Sequence, residues 1–131
     1  MTTAYICIGL LALPVFVLGF GISMLRGKEG PHTIIGTPSD PTDRLHKIIR
    51  AHGNTAEYAP MLAILIYVAA LQGAGTWVLW MMWIATVGRY LIAIGLVIGP
   101  SLEKPHVLRM AGATATYIAG IGLTIAVLIG A

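Results

Sequence analysis

Five residues that could bind a charged ligand stand close together at the start of an otherwise apolar segment. They are Arg50, His52, Asn54, Glu57 and Tyr58. Arginine pairs with carboxylates, glutamate pairs with ammonium groups, and asparagine and tyrosine supply neutral hydrogen bonds. A charge in or near hydrocarbon costs several kcal/mol unless it is paired or lines a cavity. The cluster therefore indicates a functional site.

Helical geometry sorts these side chains by direction. At about 100° per residue, four polar residues share one narrow face: His46, Arg50, Asn54 and Glu57. Tyr58 lies beside this face, and His52 points to roughly the opposite side. Two turns separate Arg50 from Glu57, so we expect them to pair only through a third group, such as Asn54 between them, or through another helix. The residues alone leave two interpretations open: a ligand site, or an ion pair that holds helices together.

Metal and hydrolase chemistry fit the cluster poorly. His46 and His52 are six residues apart and diverge by roughly two-thirds of a turn, so they do not form a metal-binding pair with Glu57. We therefore expect no metal. No serine or cysteine nucleophile stands near a histidine with an orienting carboxylate, as a hydrolytic triad requires. Cys7 is the only cysteine, which excludes an intrachain disulfide.

The elements that hold the cluster are predicted to be membrane spans. The 131 residues are 57% hydrophobic and 10% charged, whereas soluble domains carry about 25% charged residues. Spanning helices need about 20 mostly apolar residues, and four segments qualify: residues 4–25, 44–71, 76–98 and 107–130. We predict an all-α, four-helix membrane bundle that forms one domain over residues 1–131. The net charge of +3 does not indicate nucleic-acid binding, because the basic residues stand at span ends without interleaved aromatic residues.

The distribution of basic residues predicts the orientation of the spans. Five lysines and arginines flank the first loop and two flank the third, whereas the second loop and both termini contain none. The positive-inside rule then places the first and third loops in the cytoplasm and both termini outside. The polar cluster falls on this cytoplasmic side. We expect an integral protein of a bacterial inner membrane, surrounded by lipid.

The second span opens with the pattern Arg50-x-His52-x-Asn54-x-x-Glu57-Tyr58-x-Pro60. This pattern closely resembles the second-helix signature of the MAPEG family, the membrane-associated proteins in eicosanoid and glutathione metabolism. The resemblance extends over the whole chain, with four spans and a long polar first loop. It implies a homotrimer that holds glutathione, as co-substrate, between adjacent subunits near the cytoplasmic face. By resemblance, Arg50, His52, Asn54, Glu57 and Tyr58 would line the glutathione site.

Three further arginines match the family pattern. Arg89 resembles the arginine that opens the third-helix motif, and Arg26 resembles another contact to a glutathione carboxylate. Arg109 resembles the arginine that stabilises the glutathione thiolate, which would make it the catalytic residue. A neighbouring guanidinium lowers a thiol pKa, and the thiolate is the nucleophile. Without the resemblance, Arg109 is interpreted as a snorkelling anchor at a helix end.

One departure from the family separates the functional hypotheses. In catalytic members, the arginine that Arg89 matches is followed three residues later by Tyr or His and seven residues later by Tyr. In this chain the two positions are Ile92 and Leu96, and Tyr90 faces elsewhere. The resemblance implies a glutathione transferase or peroxidase that acts on lipophilic electrophiles or hydroperoxides. The departure favours an alternative, a non-catalytic scaffold that binds a lipophilic ligand. A small transporter is disfavoured, because we expect every charge to lie near one face of the membrane.

Overall fold

Four long helices account for most of the chain. The computed structural model describes residues 1–29 and 36–130. Its helices, in chain order, are α1 (Thr2–Glu29), α2 (Arg44–Leu71), α3 (Thr76–Ile98) and α4 (Val107–Ile129). All four have the length and apolar composition that crossing a membrane requires. The prediction of an all-α, four-span bundle is confirmed.

The helix boundaries follow the predicted spans closely, except at the end of the first. The spans predicted over residues 44–71 and 76–98 coincide with α2 and α3. The first helix continues four residues beyond the predicted end at residue 25, as far as Glu29. Arg26 and Lys28 stand in its last turn, where cations interact favourably with the carboxyl end of the helix dipole. Residues 30–35 of the predicted first loop lie outside the described residues.

The first and third loops are linked to each other at one end of the bundle. The Leu102 N–H donates to the Pro41 carbonyl oxygen over 3.0 Å. Lys47 of α2 donates through Nζ to the Gly99 carbonyl oxygen over 3.2 Å. Asp43 caps α2 by accepting the His46 N–H over 2.9 Å, as side-chain oxygens at this position commonly do. The first two contacts fix the third loop, which leads into α4, relative to the beginning of α2.

Helices α3 and α4 approach so closely that their backbones touch. A Cβ atom added to Gly112 of α4 would lie 2.6 Å from the carbonyl oxygen of Gly88 in α3. One added to Gly95 would lie 2.8 Å from the backbone nitrogen of Arg109. Small residues allow such contacts between helices in lipid. The consequence for the site is that the first turn of α4, with Arg109, is held directly against α3.

A proline within α1 explains the orientation of Tyr90. Pro14 has no N–H, so it cannot donate to the carbonyl of Leu10 one turn earlier. The hydroxyl of Tyr90 in α3 donates to this carbonyl instead, over 2.9 Å. Tyr90 is thereby directed at α1, in agreement with the prediction that it faces away from the polar cluster.

Candidate functional site

A cavity of about 280 Å³ lies between α2, α3 and the beginning of α4. Its polar lining comes from all three helices and from His106 of the third loop: Arg50, Asn54, Tyr58, Arg89, His106, Arg109, Thr116 and Tyr117. Pro105 and His106 of the third loop place it towards the end of the bundle where the first and third loops meet. Among the described residues, three guanidinium groups line the cavity and no carboxylate does. Such a lining suits an anionic ligand, because arginine pairs with carboxylates in a two-pronged geometry.

Arg89 is the most deeply buried of these cations. Its side chain is 1% exposed, and Nη2 donates to both the carbonyl oxygen and the Oδ1 of Asn54, at 2.7 and 2.6 Å. Its Nε and Nη1 atoms are buried and have no hydrogen-bond partner within the described residues. Burying an unpaired charge is costly, so the cavity favours a ligand that brings a negative charge.

The depth of Arg89 corrects one prediction. Arg89 is thirteen residues from the start of α3, which is about 20 Å at 1.5 Å per residue. It is also nine residues, or about 13 Å, from the other end of the helix. The expectation that every charge lies near one membrane face is therefore wrong. The reason is that Asn54 and the ring of Tyr58, 4.9 Å from the Arg89 Cζ atom, supply a polar environment inside the bundle.

The pairing of Arg50 and Glu57 also differs from the prediction. We expected two helical turns to keep them apart, but Arg50 Nη1 lies 4.0 Å from Glu57 Oε1. Both side chains are long enough to extend along the helix surface towards each other. Each is 57% exposed in the single chain, so the pair is loose and accessible. Asn54 does not bridge it, since its Oδ1 accepts from Arg89.

The position of Arg109 is set by the third loop. Its Nη1 donates to the carbonyl oxygen of Leu102 over 2.9 Å and to that of Lys104 over 3.4 Å. The other guanidinium nitrogens make no hydrogen bond within the described residues, and the side chain lines the cavity. Three residues earlier, His106 caps the N-terminus of α4, and its Nδ1 accepts the Leu108 N–H over 3.3 Å. The Arg109 side chain is therefore tethered through one nitrogen to the third loop while it lines the cavity.

The structure does not bring every predicted site residue to this cavity. His52 faces α1, where its Nε2 would lie 3.2 Å from a Cβ atom added to Gly19. Arg26, near the end of α1, donates through Nη2 to the Gly36 carbonyl oxygen over 2.9 Å. His46 lies with its Nδ1 3.0 Å from the Asp40 carbonyl oxygen. Glu57 borders a neighbouring groove together with Tyr58. The cavity brings together five of the predicted residues: Arg50, Asn54, Tyr58, Arg89 and Arg109.

Three polar residues of the lining were not predicted from the sequence: His106, Thr116 and Tyr117. Tyr117 of α4 lies with its hydroxyl oxygen 3.5 Å from that of Tyr58, and the ring centroids are 6.2 Å apart. His106 lines the opposite part of the cavity, beside Arg109. Tyr117 follows Arg109 by eight residues, which places it about 80° around α4. That helical spacing was the signal available in the sequence.

Ile92 and Leu96 also line the cavity, and they make its α3 wall apolar apart from Arg89. They stand at the positions where the family pattern has hydroxyl or imidazole groups. Among the described residues, no group of three His, Cys, Asp or Glu side chains is placed to hold a metal ion. The chemistry available here is charge pairing by arginine, hydrogen bonding by amide and phenol groups, and proton transfer by phenol or imidazole.

The fold and the site together define a class of protein: an integral membrane protein of four helices with an arginine-lined cavity inside the bundle. The model of the MAPEG family matches residues 4–129. The chain belongs to the MAPEG family, and its four-helix membrane bundle is the fold of that family. Comparisons with curated proteins and with solved structures find no match. Family membership supports a membrane protein with a transferase or related function linked to glutathione.

Proposed function

We propose that the protein is a glutathione-dependent transferase or peroxidase that acts on lipophilic electrophiles or hydroperoxides reaching it from the bilayer. The observation that carries the proposal is the cavity lining, which in the described part of the chain has three guanidinium groups and no carboxylate. Glutathione has two carboxylates, one ammonium group and one thiol, so it matches this excess of positive charge. Membership of the MAPEG family supports the same assignment.

Each polar group has a role in this proposal. Arg50 and Arg89 bind carboxylates, and the amide nitrogen of Asn54 donates a hydrogen bond, because its Oδ1 already accepts from Arg89. Glu57, at the edge of the site, pairs with the ammonium group, and Tyr58 supplies a hydroxyl. Arg109 holds the thiol as a thiolate, since an adjacent guanidinium lowers a thiol pKa from about 8.5.

Self-association completes the site in this proposal. Arg50 and Glu57 are each 57% exposed on a membrane-spanning helix, and charges that face lipid are unfavourable. A neighbouring copy in a homotrimer covers them. Cavities that bind small molecules have volumes of about 300 Å³ or more, and the cavity in one chain is slightly smaller, at about 280 Å³. Arg26 and His52, outside this cavity, reach glutathione only if the site extends across a subunit interface.

The proposed orientation in the membrane follows from the basic residues at the end of the bundle where the first and third loops lie. We assign the first and third loops to the cytoplasmic side of a bacterial inner membrane and both termini to the outer side, by the distribution of lysine and arginine. The third loop then presents the cavity, through Pro105 and His106, to the cytoplasm. The lipophilic second substrate enters from the lipid phase.

A thiolate measurement on detergent-purified protein tests the proposal. Glutathione is added at neutral pH, the ultraviolet thiolate band is recorded, and binding is measured in parallel by calorimetry. We expect a band with the unchanged protein and with Lys104→Ala, a matched control that removes a loop cation outside the cavity lining. We expect no band, with binding largely retained, for Arg109→Ala. A thiolate band of equal size with Arg109→Ala would overturn the role of Arg109.

A non-catalytic scaffold is the second candidate, and one observation favours it. Ile92 and Leu96 give the α3 wall of the cavity no hydroxyl group. A scaffold would bind glutathione or a lipophilic ligand without forming the thiolate and without consuming thiol. Calorimetric binding with neither a band nor turnover would select this candidate. Transport is tested separately, by measuring thiol flux across proteoliposomes.

A further inference from the structure

Two tyrosines connect the arginine-lined cavity to an apolar groove on the surface of the bundle. The groove, of about 420 Å³, runs along α2 and α4 and is lined by side chains that include Leu62, Leu65 and Ile121. Tyr58, Thr116 and Tyr117 line both the cavity and the groove. A polar ligand in the cavity and an apolar ligand in the groove would therefore meet at these three residues.

The two phenols differ in how firmly they are held. The ring of Tyr58 lies 4.9 Å from the guanidinium carbon of the buried Arg89. Tyr117 is 55% exposed and extends towards the groove. Their hydroxyl oxygens are 3.5 Å apart, so Tyr58 can donate its proton towards the Tyr117 oxygen. The Tyr117 O–H then remains available to a third group at the junction.

The other groups that line the cavity are unsuited to give up a proton at this junction. Guanidinium groups keep their protons in proteins, so Arg50, Arg89 and Arg109 are not proton donors here. His106 is eleven residues from Tyr117 along α4, about 16 Å away at 1.5 Å per residue. Ile92 and Leu96 have no exchangeable proton. A phenol is a far stronger acid than the Thr116 alcohol, so Tyr117 is the best placed donor.

We propose that Tyr117 is a catalytic acid for electrophiles whose leaving atom is oxygen, such as a lipophilic epoxide; this inference rests on the proposed thiol transfer. The thiolate sulfur attacks an epoxide carbon, the S–C bond forms, and the C–O bond breaks with its electron pair on oxygen. The alkoxide takes the proton from the Tyr117 hydroxyl. The resulting phenolate is stabilised by the O–H of Tyr58 and is reprotonated by water, so the products are a thioether and an alcohol.

Two substrates with different leaving groups test this role. Styrene oxide needs a proton on its leaving oxygen, whereas chlorodinitrobenzene releases chloride, which needs none. With Tyr117→Phe we expect turnover of styrene oxide to fall roughly a hundredfold, the lower end of the usual contribution of a general acid. Turnover of chlorodinitrobenzene and the glutathione thiolate band should change less than twofold. Tyr67→Phe, an exposed tyrosine of α2 outside the cavity lining, is the matched control and should leave both rates unchanged.

The possible outcomes separate the inference from the function on which it rests. An equal fall with both substrates would show that Tyr117 has a structural role, and unchanged styrene oxide turnover would show that it is not the acid. Turnover of chlorodinitrobenzene without any turnover of styrene oxide by the unchanged protein would also overturn the inference. Failure of the unchanged protein with both substrates, and absence of the thiolate band, would overturn the proposed function itself.

Discussion

Nη2 of Arg89 donates to both the carbonyl oxygen and the side-chain Oδ1 of Asn54, at 2.7 and 2.6 Å. This contact joins the middle of α3 to α2 and fixes the orientation of the Asn54 amide. Because Oδ1 is directed at Arg89, the amide nitrogen is left to donate to whatever occupies the cavity. The buried guanidinium itself still lacks a negative partner within the described chain.

Asn54→Asp should therefore affect stability and binding in opposite directions. A carboxylate at this position supplies Arg89 with the missing negative charge, so we expect a higher Tm in the absence of ligand. The same carboxylate repels an anionic ligand and removes one donor, so glutathione affinity should fall at least about tenfold, equivalent to about 1.4 kcal/mol. Thermal unfolding and calorimetry on the same preparation measure both effects. Asn54→Ala is the control, and we expect it to lower both the Tm and the affinity.

Replacing Glu57 tests its proposed pairing with an ammonium group. The Arg50–Glu57 pair is loose, with Nη1 and Oε1 4.0 Å apart, and glutamine keeps the length and hydrogen-bonding capacity of the side chain, so Glu57→Gln should barely change the Tm. Glutathione should bind more weakly, while an analogue without the amino group should bind equally well to both proteins. Equal weakening of the two ligands would contradict the pairing.

The pH dependence of the thiolate band should depend on Arg109. A neighbouring guanidinium stabilises the charged form, so removing it raises the thiol pKa towards about 8.5. We expect the midpoint of the absorbance titration to move to higher pH in Arg109→Ala and to move less in Arg109→Lys, which keeps a positive charge. Identical midpoints in all three proteins would exclude thiol activation by this residue.

The contact between α3 and α4 predicts that substitution by alanine lowers the stability at one glycine of α4 and not at another. A Cβ atom at Gly112 would lie 2.6 Å from the Gly88 oxygen, so Gly112→Ala should force the helices apart at a cost of about 1–3 kcal/mol. Gly120→Ala is the control, because its nearest neighbour, the Leu62 Cδ2 atom, would be an ordinary 3.7 Å away. Thermal unfolding in detergent compares the two. Equal Tm values would mean that the helices part without cost.

Acid should loosen the turn that precedes α2. Asp40 accepts the Thr42 N–H over 2.8 Å and the Thr42 hydroxyl over 2.7 Å. These bonds, the backbone one foremost, hold the Asp40 pKa below its ordinary value. A lowered pKa in the folded state means that the stabilisation is complete above the ordinary pKa of about 3.9 and is lost as the pH falls through the lowered value. This effect is measured by hydrogen exchange of the Thr42 amide as a function of pH, in the unchanged protein and in Asp40→Asn. Protection of the amide that acid leaves unchanged would contradict it.

The sequence by itself determined the membrane class, the four spans and the end of the bundle that collects the polar residues. These follow from local properties, namely apolar length, the positions of glycine and proline, and the placement of lysine and arginine. The predicted limits of the second and third spans agree with α2 and α3 for this reason. Helical spacing also separated His52 from the face that carries Arg50 and Asn54, and the structure places it against α1.

Only the tertiary structure decided which side chains meet. Tyr58 and Tyr117 are 59 residues apart, and Arg89 and Asn54 are 35 apart. Their contacts depend on how α2, α3 and α4 cross, which is set by packing between helices and not by any local pattern. The Arg50–Glu57 pair was missed for a different reason: helical geometry fixes where a side chain starts, while its rotamers decide how far it reaches. The deep position of Arg89 is stable only because Asn54 and Tyr58, from another helix, surround it with polar groups.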